Sequence, residues 1–151
     1  MTTTSFVRAA SEAADRQVAP VRRWASRTGA LALVGIGVAH TVVNARGFAA
    51  ERGGSWLVFM IFAPGVSLLA FAIAVAAWRY GSRVRSGAAA AAYRTVVAVG
   101  AVLLCLTAVS VLRSHPGLVW VPLGPGPWSV IGGLALTIAA AAPATVRPTT
   151  R

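Results

Sequence analysis

The chain has 151 residues, 57% of them hydrophobic and only 11% charged, where soluble domains carry about 25% charged residues. So little polar side chain cannot cover a water-facing surface, which excludes an ordinary soluble domain, a disordered tail and a disulfide scaffold and indicates an integral membrane protein. The formal net charge is +11 and every basic residue is arginine; these arginines lie between long apolar runs, so they read as topology signals and lipid-headgroup anchors, with no nucleic-acid partner expected.

Residues 1–27 form a basic lead. Phe6, Val7, Ala10, Ala13 and Ala14 recur at roughly helical spacing, with Arg and Glu between them. That spacing predicts a short helix capped by Ser11 and stopped by Pro20. The stripe is mostly alanine, so its membrane affinity is weak. The expectation is a partly disordered tail, with an interfacial helix on anionic lipid as the alternative.

The first uncharged stretch, residues 28–45, is long enough to cross a bilayer, which takes about 17–25 residues. Gly35 and Gly37 sit four residues before Ala39 and Thr41 and predict close helix packing. A cleavable signal ending near Val43-Asn44-Ala45 is the competing reading. Its lead would be long, and His40, Thr41 and Asn44 would crowd the end of its apolar core.

The second span covers residues 54–78. Trp56 opens it, and Trp78 and Tyr80 close it at the headgroup level. Pro64 and Gly65 predict a kink, because proline removes one helix hydrogen bond and crowds the preceding turn. The third span covers residues 93–112, entered through Tyr93. Residues 114–127 hold Pro116, Pro122, Pro125 and Pro127, which predict no regular helix there. That connection is nevertheless apolar, so it should lie on the bilayer surface, anchored by Trp120, or fold over the bundle mouth. The fourth span runs from Trp128 to Val146 and carries Ser129, Gly133, Thr137 and Ala141 at a period of four, a predicted helix-packing stripe. Residues 147–151 form a short tail. The expected fold is all-α: an integral membrane four-helix bundle over residues 28–146.

Eleven arginines fall in the lead, in the connection between spans two and three, and in the tail; only Arg46, Arg52 and Arg113 fall on the other side. The positive-inside rule then predicts that both termini are cytoplasmic in a multi-pass inner (plasma) membrane protein.

Polar groups in lipid are costly and are the default functional candidates. They gather in the outer half of the bundle. His40, Thr41 and Asn44 lie in span one, Thr107 and Ser110 in span three, and Arg113 and His115 just beyond it. His40 and Asn44 are four apart and share a helix face, as do Thr107 and Ser110 at a spacing of three. Together they suggest a ligand-binding patch under the 114–127 connection. The alternative is hydrogen bonding that holds the helices together.

Absences narrow the chemistry. No Asp or Glu lies within any span, which disfavours a proton-coupled carboxylate relay. Cys105 is the sole cysteine, so disulfide-exchange chemistry within one chain is excluded. No Cys-x-x-Cys-His motif exists for attached haem. His40 and His115 lack thiol or carboxylate companions, so neither a metal nor a cofactor is expected. A Ser-His-carboxylate triad has only Glu51 to draw on, and no catalytic residue is assigned.

The Gly37-x-x-His40-Thr41 motif in span one, and the run of Gly124, Pro125, Gly126 and Pro127 ahead of Trp128, resemble small four-pass bacterial membrane proteins of unknown function. Those families carry a G-x-x-H motif in helix one and a Pro/Gly-x-Trp approach to the last helix. The likeness covers residues 28–146 in layout; the basic lead and the extra prolines here depart from it. It implies architecture and no activity. The expected role is a non-catalytic interaction or accessory subunit with a membrane-protein partner or a second copy. The other reading is a small-molecule or lipid-binding protein, transporter or enzyme, with an outward-facing pocket around His40.

Overall fold

A computed structural model describes residues 3–50, 56–82, 88–121 and 124–142. It is all-helical, with four α-helices: α1 Thr3–Ala50, α2 Trp56–Ser82, α3 Ala88–Ser114 and α4 Pro125–Ala141. A short 3-10 helix, Pro116–Trp120, precedes α4. Three helices contain stretches long and apolar enough to cross a membrane: Val18–Arg46, Pro64–Ser82 and Ala88–Ser114. The fourth, α4, is apolar but has 17 residues, or about 26 Å at 1.5 Å per residue. Residues 143–146 of the expected fourth span lie outside the described residues.

The helices pack as a ring, α1 against α2 and α4, and α3 against α4 and α2, with α2 and α3 touching least. Neighbours run antiparallel. Gly29 faces Leu136 while Gly35 faces Trp128, and Gly81 meets Ser26 while Gly37 meets Phe71. The core is built of small and branched side chains, among them Ala30, Leu33, Ile73, Ala77, Val97, Leu104, Leu136 and Ala139, closed at one end by Tyr80. Outward faces are apolar as well. Leu31, Leu68, Val102, Leu106, Leu134 and Ile138 are all at least half exposed, a surface that suits hydrocarbon and not water.

Three elements differ from the sequence-based expectation. Pro20 does not stop a short helix; it lies inside α1, which is one helix from Thr3 to Ala50. A proline deprives a helix of one N–H and crowds one turn, and a long helix with good flanking residues tolerates that. The alanine run before Tyr93 joins α3, as strong helix formers do. The described part of the 114–127 connection, residues 114–121 and 124–127, is more regular than expected; Pro122 lies outside the described residues. Pro116 opens the 3-10 helix and Pro125 opens α4, each in a first turn whose N–H groups have no helical partner anyway. Gly124 caps α4 with extended backbone, φ −81° and ψ 168°. Pro64 and Gly65 lie exposed within α2.

Candidate functional site

Among the described residues, the end of the bundle near the C-terminal part of α1 holds an interhelical polar cluster. Ser67 of α2 is buried against α1, and its Oγ lies 3.2 Å from His40 Nδ1. Thr41 Oγ1 sits 2.8 Å from the Gly37 carbonyl oxygen and 2.9 Å from Ser67 Oγ, so its single proton has two acceptors to choose from. Ser67 Oγ is also 3.3 Å from the same Gly37 carbonyl. Gly37 makes this approach possible: a Cβ there would stand 3.0 Å from the Phe71 ring. Asn44 turns back on its own helix, Nδ2 donating to the His40 carbonyl at 2.7 Å.

The remaining candidates lie elsewhere. Thr107 Oγ1 donates to the Leu103 carbonyl of α3 at 2.9 Å, and Ser110, Arg113 and His115 are exposed. Because α1 and α3 stand across the diagonal of the ring, the His40 and Thr107 faces are not neighbours. The packing candidates divide in the same way. Gly35 fits under the Trp128 ring, and Gly133 lies against Cys105 with 3.0 Å between Sγ and the position of a Cβ. Ser129 is fully buried and donates to the Gly126 carbonyl at 2.8 Å. Thr137 and Ala141 are exposed, because a strict period of four drifts about 40° per step around a helix of 3.6 residues per turn. The buried face of α4 instead runs through Gly126, Ser129, Gly132, Gly133, Leu136 and Ala139.

Sequence reasoning passed over Ser67, although it is the one hydroxyl in the apolar run from Trp56 to Trp78. It also passed over Gly29, Gly100 and Gly132. A Cβ on Gly29 would overlap Leu136, one on Gly132 would overlap Ala32, and one on Gly100 would stand 2.6 Å from Ile73.

The opposite end of the bundle is basic. Arg22 lies over the Tyr80 ring at 5.8 Å from its centroid, and Arg27 over Trp78 at 5.1 Å, both within cation–π range. Arg94 Nε donates to the Ala140 carbonyl near the end of α4 at 2.7 Å, tying two helix ends with a charge that suits the dipole there. Ser26 Oγ and the Tyr80 hydroxyl are buried in the α1–α2 seam with no hydrogen-bond partner among the described residues. Among the described residues no group of three His, Cys, Asp or Glu could hold a metal ion.

Comparison with known protein families, curated proteins and solved structures gives no match to this chain.

Proposed function

We propose that the chain is a small multi-pass protein of a bacterial inner membrane, with both termini cytoplasmic, that acts as a non-catalytic interaction or accessory subunit. The observation that carries this reading is how the outer polar residues are used. His40, Thr41 and Ser67 bind one another across α1 and α2, while Asn44 and Thr107 bind their own helices. Such groups hold a bundle together and do not converge on a substrate. The apolar outward faces supply the rest of the argument, since surface of that kind serves lipid or another membrane helix.

The test is native mass spectrometry of the full-length protein released in mild detergent, paired with crosslinking in the intact membrane. The expected result is a defined complex, either a homo-oligomer or a stoichiometric partner, that survives His40→Ala. A bare monomer by both methods overturns the reading. So does a monomer carrying a stoichiometric small molecule that disappears on His40→Ala, which instead supports an outward-facing ligand pocket around His40.

A further inference from the structure

An open groove of about 560 Å³ runs along the seam of α3 and α4. Arg94, Ala98, Ala101, Cys105 and Val109 of α3 and Thr137 of α4 contribute to its lining. From Arg94 to Val109 it extends about 22 Å, at 1.5 Å of rise per residue. Arg94 is the one charged residue lining it, and it stands at the end of the bundle where Arg22 and Arg27 also lie. The polar groups along the groove are already engaged: Thr137 Oγ1 donates to the Gly133 carbonyl at 2.8 Å and Arg94 Nε to the Ala140 carbonyl.

We propose that this groove holds one acyl chain of an anionic phospholipid whose phosphate rests on Arg94. The inference rests on the membrane-spanning reading above. Charge complementarity selects the occupant. A guanidinium carries five N–H donors in a fork that fits phosphate, and the bond to Ala140 uses one of them. Depth agrees: one leaflet offers about 15 Å of hydrocarbon, half of a core about 30 Å thick, and the groove continues past that depth. The lining agrees too. Ala98, Ala101 and Thr137 are small, so the seam is concave, and with the Thr137 hydroxyl satisfied it presents an apolar wall to a flexible chain. A second copy's helix in the same place would set an apolar surface beside Arg94 and offer its remaining guanidinium donors no anionic partner.

The experiment uses the full chain reconstituted into vesicles of phosphatidylcholine with and without phosphatidylglycerol. Alkaline extraction is applied first. Release of the chain from the vesicles overturns the membrane-spanning reading, and the groove inference falls with it. Retained protein is then taken to native mass spectrometry. The expected result is one phosphatidylglycerol bound per chain in preference to phosphatidylcholine. Arg94→Ala should reduce that preference about fivefold, the effect of one arginine near a charged membrane surface. Thr137→Phe, which fills the groove from an exposed position, should lower retention of both lipids, while Arg113→Ala at the other end should change nothing. Equal retention of the two lipids, or a preference unmoved by Arg94→Ala, overturns the inference while leaving the membrane-spanning reading intact. Displacement of the lipid by millimolar inorganic phosphate overturns it in favour of a free-anion site. Quantitative Cys105–Cys105 crosslinking in the vesicles overturns it in favour of a second copy.

Discussion

At the scale of single residues, Ser67 is where α1 and α2 are fastened, since His40, Thr41 and the Gly37 carbonyl all meet its hydroxyl. Interhelical hydrogen bonds in membranes average about 0.6 kcal/mol and reach about 1.7. Ser67→Ala should therefore destabilise the protein by about 1 kcal/mol in a denaturant titration in mixed micelles, and an unchanged midpoint would show the hydroxyl to be idle. Tyr80 presents the reverse case. Its hydroxyl is buried without a hydrogen-bond partner among the described residues, and a buried donor left unsatisfied costs about 1–3 kcal/mol. Tyr80→Phe should leave stability unchanged or raise it in the same titration; a clear loss would reveal a bond to that oxygen. The sequence made His40, Thr41 and Asn44 legible because polar side chains stand out in an apolar run. It grouped them with Thr107 and Ser110 because spacing reports which residues share a helix face. Which faces then meet is decided by the order of helices around the ring, and no local pattern carries that.

At the scale of elements, the α1–α4 seam depends on absent side chains. Gly29 lies under Leu136 and Gly132 against Ala32, so the two backbones approach more closely than any larger residue permits. Gly29→Val should cost about 1–3 kcal/mol through overpacking, measured as loss of thermal stability in detergent. Gly65 makes the matched control, since a Cβ there meets nothing within 4 Å. Gly65→Ala should be neutral or stabilising by up to about 1 kcal/mol from helix propensity alone; equal damage at both positions would contradict this account of the seam. The existence of the four helices was legible because long uncharged runs have few alternatives in lipid. Their ends were not. Pro116 and Pro125 read as breakers, yet each occupies a first turn where proline is tolerated. The packing face of α4 was half legible: Ser129 and Gly133 belong to it, and the fixed period of four then left it.

At the scale of the whole molecule, the charge distribution is uneven. Arg22, Arg27 and Arg94 engage Tyr80, Trp78 and Ala140 at one end, while Arg46 and Arg113 belong to the other, near the C-terminal ends of α1 and α3. If this asymmetry directs insertion, fluorescent-protein fusions at residue 1 and after residue 151 should both report a cytoplasmic location, and a periplasmic reporter inserted at residue 53 should be active. Activity of that periplasmic reporter at either terminus would reverse the assignment.

The length of α1 has a mechanical consequence. Its 48 residues make a rod of about 72 Å, more than twice the hydrocarbon thickness of about 30 Å. The same rod carries the N-terminal basic segment and His40, with no loop between them. Whatever seizes or turns residues 3–15 therefore applies torque to the helix that is clamped by Ser67 of α2 and wedged against Trp128 of α4. The point along that shaft with a missing backbone hydrogen bond is the turn before Pro20, and its stiffness sets how much of a twist is delivered and how much is lost as bending.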